Sequence, residues 1–210
     1  RSDPDGSGLA GMVARLLEQE CPDLPFDQSG LAWQVPVWLG WSLGGTVVLE
    51  MWRQGVPMKA LILVAATPRF CATDDWSAAV PSRELEVLEN ALTNRRKATV
   101  KRFRSNLGKV SAADQKAVRC PERATQAGLA AGLAALAQAD LRFTLDDLRY
   151  QQVPSLWLGG GNDPLIPGQA IKSAAQRAGG EWGIIEAAGH LPHATHGREV
   201  AERIGDFIKR

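Results

Sequence analysis

Four short runs are rich in apolar residues without strict alternation: residues 35–40 (Val-Pro-Val-Trp-Leu-Gly), 60–66, 153–158 and 181–186. A strand with one face in water alternates apolar and polar side chains, and these runs do not. Continuous apolarity over so few residues is what a strand buried on both faces of a parallel sheet requires. Apolar residues at helical spacing mark residues 9–20, about 45–55, 168–178 and 198–209 as helices between or beside them. Strands alternating with helices predict a parallel α/β sheet.

The alternation stops between residues 66 and 153, where no convincing strand is found. Leu85, Leu88 and Leu92 share one helical face, which Val100, Phe103 and Leu107 continue. Ser111, three residues before Asp114, resembles a capping box. The alanine-rich stretch 124–139 carries Leu129, Leu133 and Leu136 on one stripe. A helical insertion over the carboxyl edge of such a sheet is a lid. The expected organisation is therefore a core of residues 1–67 and 153–210 with a helical lid at 68–152.

The turn after the first run reads Gly40-Trp41-Ser42-Leu43-Gly44-Gly45, which matches Gly-x-Ser-x-Gly between a strand and a helix. Small residues let strand and helix pack closely there, so the serine hydroxyl stands at the sheet edge. A bare five-residue motif also fits an inert glycine-rich turn, so its partners decide. A serine needs a base, and the chain has three histidines, His190, His193 and His196. His190 lies in Ala187-Ala-Gly-His190, directly after the fourth run, on the same edge as Ser42. His193 and His196 follow on a loop or helix start, where a solvated or capping role is expected. Asp163 is the single carboxylate of Gly159-Gly-Gly-Asn-Asp-Pro164 after the third run. It suits the group that orients the histidine, although it also fits a cap for the turn that follows. The order Ser42, Asp163, His190, each just beyond a strand, makes a nucleophile, orienter and base. The N–H of Leu43 supplies one oxyanion donor.

These motifs resemble the α/β-hydrolases, and among them the pimeloyl-acyl-carrier-protein methyl ester carboxylesterases of biotin synthesis. The similarity runs through Trp38-Leu-Gly-Trp-Ser-Leu-Gly-Gly45, Ala65-Ala-Thr-Pro-Arg-Phe-Cys-Ala-Thr-Asp-Asp-Trp76, Asp140-Leu-Arg, the Asp163 turn and the His190 loop. It implies a serine esterase acting on a methyl ester of an acyl chain held on acyl carrier protein, with no metal or organic cofactor. It implies that Trp41 lines the acyl pocket and that basic lid residues receive the acidic carrier. Residues 91–113 hold Arg95, Arg96, Lys97, Lys101, Arg102, Arg104 and Lys109 with no acidic residue. Arg1-Ser2-Asp3-Pro4 is similar to the end of a turn after the family's fourth strand. On that alignment the first strands and the His-Gly loop with the second oxyanion donor lie outside this sequence, and the strand at 35–40 is a sheet edge. The same triad also serves lactone, thioester or C–C bond hydrolases, and the scaffold serves binding proteins of weak activity.

Composition narrows the partners. With 24 Lys and Arg against 23 Asp and Glu, the net charge of +1 gives no molecule-wide field for nucleic acid or an anionic membrane. No apolar run is long enough to span a bilayer, and residues 1–8 lack a signal-peptide pattern. Cys21, Cys71 and Cys120 show no metal spacing and fit free, buried thiols in a reducing compartment. A cytoplasmic monomer is expected.

Overall fold

A computed structural model describes residues 8–11, 13–14, 35–107 and 125–210. Most of the expected helix at 9–20, Cys21, Cys120, Lys109, the Ser111–Asp114 box and the opening four residues lie outside the described residues. Among the described residues, four strands form one parallel sheet in the order β1 (Val37–Trp41), β2 (Ala60–Val64), β3 (Ser155–Gly160), β4 (Glu181–Ile185). Helix α1 (Leu43–Arg53) follows β1, and α2 (Ser82–Asn106), α3 (Gln126–Gln138) and α4 (Arg142–Tyr150) lie between β2 and β3. Helix α5 (Gly168–Ala178) joins β3 to β4, and the short α6 (Pro192–Thr195) and α7 (Gly197–Ile208) close the chain.

The pleat explains the unbroken apolar runs. Leu61, Leu63 and Trp157 point to one side and join a core with Leu49 and Met51 of α1 and Ile171 and Ala174 of α5. Ile62, Val64, Leu156 and Leu158 point to the other side, where Val200 of α7 covers them with Ile204 and Phe207. Both faces of β2 and β3 are therefore apolar because helices cover both. Each fully buried leucine of this kind contributes about 2 kcal/mol. Strand β4, expected to be buried in the same way, lies among the described strands at the opposite edge of the sheet from β1 and keeps Glu181 and Trp182 exposed. At the outer edge, among the described residues, β1 pairs with β2 alone, and Leu39 is 53% exposed.

The strand ends shift from the sequence expectation for identifiable reasons. Ala65 and Ala66 are apolar enough for a strand, but Ala65 takes a left-handed φ of 46°, and the chain turns there with its N–H on the Leu158 carbonyl. β3 begins after Pro154, which has no N–H to pair, and it extends through Gly159 and Gly160 instead.

Helix α4 falls within the 68–152 interval but packs with α1 and α5, because Leu145 and Leu148 are fully buried in the main core. Helix α2 bends at Arg95, whose φ and ψ of −142° and 45° are not helical. The bend separates the Leu85/Leu92 set from the Val100/Phe103/Leu107 set, and the Thr99 hydroxyl braces it by lying 2.9 Å from the Ala91 carbonyl and 3.0 Å from that of Arg95. Thr125 caps α3, accepting from the Gly128 N–H. Cys71 is buried, and that burial pushes its thiol pKa up.

The two ends of the inserted helices meet at one ionic junction. Arg142 donates through Nε and Nη2 to the two oxygens of Asp140, and Arg69 donates to the same carboxylate from the other side. Arg142 also reaches Asp75 at 2.8 Å, and the Leu141 N–H meets the Pro68 carbonyl. The Arg142 guanidinium, with Arg69 adding, lowers Asp140 to a pKa of about 2. A carboxylate held below its unfolded value stabilises the fold above the unfolded pKa and loses that contribution as the pH falls towards the folded one. Urea unfolding should show Asp140→Asn costing about 1 kcal/mol at neutral pH, since solvent screens part of the ion pairing. The variant should also lose less stability than the native chain between about pH 4 and pH 2.

Candidate active site

The turn between β1 and α1 is tight enough to exclude side chains at its flanks. A Cβ on Gly40 would stand 2.5 Å from the Gly44 carbonyl oxygen, and one on Gly45 would stand 2.3 Å from the Ala66 Cβ. Ser42 sits at the apex with φ 53° and ψ −123°, a conformation that costs about 1–3 kcal/mol and holds only because its surroundings impose it. Its N–H bonds the Val64 carbonyl at 2.9 Å, and its carbonyl receives the Gly45 N–H at 2.9 Å. Leu43 opens α1, where the helix leaves the first N–H groups without an intrahelical acceptor.

Two further loops reach the same rim because the strands are in register there, Trp41 beside Val64 and Gly160 beside Ile185. The loop after β3 is stitched to the loop after β4. Gly161 N–H donates to the Ile185 carbonyl, Asn162 N–H to that of Ala188, and the Asn162 side-chain amide to that of Glu186.

Asp163 is held with its side chain wholly out of solvent. One of its oxygens accepts from the Leu165 and Ile166 N–H groups at 2.8 and 3.0 Å. The other lies 2.8 Å from His190 Nδ1. It thus performs both tasks open to it in the sequence, capping the turn and facing the imidazole. The second ring nitrogen, His190 Nε2, lies 2.8 Å from Ser42 Oγ. A carboxylate can only accept, so the Nδ1 proton faces Asp163 and Nε2 is left with a lone pair towards the serine hydroxyl. His190 itself is buried.

The three residues therefore meet in one unbroken relay. Such a relay can withdraw the hydroxyl proton as Ser42 attacks a carbonyl, and Asp163 favours the imidazolium that results. The same ring can then return the proton to a departing alkoxide and activate water against the acyl-serine.

The other sequence candidates fall at different distances from the relay. Trp41, expected to face an acyl chain, donates its indole N–H to the His190 carbonyl at 2.8 Å. His193 packs edge-on to that indole with centroids 5.1 Å apart, more than the solvated or capping place expected of it. It is exposed, yet desolvation of its ring, with the His190 charge second, lowers its pKa from the usual value. His196 stands at the start of α7 with Nδ1 2.9 Å from the Thr195 hydroxyl and makes no side-chain cap. Arg95, Arg96, Lys97, Lys101, Arg102 and Arg104 are all exposed on α2. The bend of α2 encloses a groove of ≈370 Å³ lined by Leu88, Ala91, Arg95, Ala98, Arg102 and Phe103 among others, and Ser42 is not part of it. Among the described residues no group of three or more His, Cys, Asp or Glu side chains gathers as a metal site. Nor is any described helix long and apolar enough to cross a membrane.

The family model described as "Alpha/beta hydrolase family" matches residues 3–203. A pimeloyl-[acyl-carrier protein] methyl ester esterase of Stenotrophomonas maltophilia is 34% identical over 195 residues, covering 88% of this chain and 74% of that protein. One from Xylella fastidiosa is 34% identical over 82% of this chain and 70% of its own length. Among solved structures, an esterase from Exiguobacterium antarcticum superimposes with a TM-score of 0.79 at 19% identity, over 98% of this chain and 75% of that one. An enol-lactonase from Burkholderia xenovorans gives 0.72 at 15%, over 100% and 76%. At such identities these structures speak for the fold.

Replacing Asp163 with Asn removes the acceptor that selects the ring tautomer while leaving the shape. Turnover of a p-nitrophenyl ester should fall about 10³–10⁴-fold, with thermal unfolding confirming a folded protein.

Proposed function

The chain belongs to the alpha/beta hydrolase family, alongside the pimeloyl-[acyl-carrier protein] methyl ester esterases, and we propose that it hydrolyses the methyl ester of a pimeloyl chain carried on acyl carrier protein. The observation that carries the chemistry is the continuous path from Asp163 through His190 to Ser42 at 2.8 Å per step. The substrate comes from the relatives.

In this reading Ser42 Oγ attacks the ester carbonyl while His190 Nε2 takes its proton. The tetrahedral oxyanion receives the Leu43 N–H. Collapse breaks the bond to the methoxy group, and the His190 proton leaves with it as methanol. Water then gives a proton to His190 and its oxygen to the acyl carbon, which releases the free carboxylic acid and restores Ser42. A C–C bond, lactone or thioester hydrolase runs the same relay with a different leaving group, so the leaving group is what assays must separate.

Segment 68–152 serves as the lid, and the exposed cations of α2 receive the acidic carrier. A local positive surface on a chain of net charge +1 attracts a polyanionic partner at short range and is weakened by salt. The enzyme acts as a cytoplasmic monomer in this reading.

Ser42→Ala should lower hydrolysis of both carrier-bound and small esters by at least about 10⁴-fold; unchanged turnover would refute the nucleophile. Paired reversal of Lys101 and Arg102 to Glu should raise KM for the carrier-bound ester several-fold and leave a free methyl ester unaffected. Added salt should reproduce that difference with the native chain.

A further inference from the structure

His190 has two backbone groups as well as a ring, and both are held by distant elements. Its N–H donates to the carbonyl of Leu107, the residue that ends α2, at 3.1 Å. Its carbonyl receives the indole N–H of Trp41, the last residue of β1, at 2.8 Å. The Trp41 ring also lies tilted against the imidazole with centroids 5.7 Å apart, and His193 meets the same ring edge-on at 5.1 Å. His190 is 1% exposed, so water cannot substitute for either partner without opening the site.

We propose that Trp41 is a positioning residue whose indole N–H, opposed by the Leu107 carbonyl, clamps the His190 backbone so that the imidazole keeps its place between Asp163 and Ser42. The inference rests on His190 being the base. It also departs from a pure pocket-wall role for Trp41, because the side chain acts through the histidine and not through substrate. A ring that must meet Ser42 and Asp163 at 2.8 Å on opposite sides tolerates little drift of its own peptide. The loop bearing it is also tied to the loop after β3, by the Asn162 N–H on the Ala188 carbonyl and the Asn162 amide on that of Glu186, but these bonds stop two residues short of His190. The clamp therefore supplies the restraint on the two backbone groups of His190 itself, and it makes the end of α2 part of the catalytic geometry.

The test compares Trp41→Phe with the native chain on acetyl, butyryl and pimeloyl methyl esters. A lost positioning bond should lower kcat about tenfold and by the same factor on every ester, with KM within about twofold. Incorporation of 3-benzothienylalanine at position 41 keeps the bicyclic shape and deletes only the donor, so it gives the same reading should the Phe variant not fold. An unchanged kcat, or a KM that climbs with acyl length at constant kcat, overturns the clamp and returns Trp41 to the pocket wall. Ser42→Ala measured in parallel separates the two readings. If that variant still turns over, the esterase assignment fails and the clamp fails with it. If it is dead while the position-41 variants match the native chain, the clamp alone is wrong.

Discussion

The contact between Gly40 and the first turn of α1 is the constraint from which the rim geometry follows. A Cβ at Gly40 would stand 2.5 Å from the Gly44 oxygen, so strand and helix approach more closely than any side chain there allows, and the residue between them takes φ 53°. That strain lifts the Ser42 hydroxyl off the sheet. The cost is met by the packing of β1, β2 and α1, where Leu49, Leu61 and Leu63 have no exposure to solvent. A parallel sheet does the rest. Every strand leaves at the same edge, so loops separated by up to 148 residues of chain arrive at one place and can be bonded to one another there.

Around this edge each polar group has a defined partner. Asp163 is buried but accepts two backbone N–H groups as well as facing His190, so its charge is met on both oxygens. Among the described residues no buried side-chain nitrogen or oxygen lacks a hydrogen-bond partner. Helix α2 contributes through the Leu107 carbonyl, and the segments before α2 and after α3 are joined at the Asp140 junction. Chemistry and insertion are thus mechanically joined.

Much of this was legible in the residues. Runs buried on both faces announce parallel strands, and a serine, an aspartate and a histidine each placed just past one of them must share an edge. What stayed hidden depends on the direction of single atoms. Ala65 is apolar like its neighbours, and only the sheet edge explains why it turns. Nothing in Asn94-Arg95-Arg96 marks a helix bend, since neither proline nor glycine is there. A backbone carbonyl such as that of Leu107 has no signature in any sequence. The pocket-lining place of Trp41 follows from the resemblance alone, and nothing in the residues signals that its one N–H points at the His190 carbonyl. Leu145 and Leu148 show a helical face, but which surface they cover is decided by α1 and α5.

Ser42 is nucleophilic only because the folded rim makes it so. Intact mass and peptide mapping after exposure to a fluorophosphonate test this most directly. One phosphonyl group per chain is expected on the peptide carrying Ser42, absent when the protein is first unfolded in urea. A folded chain that takes up no phosphonate, or carries it on another residue, would show that Ser42 is not activated by the rim.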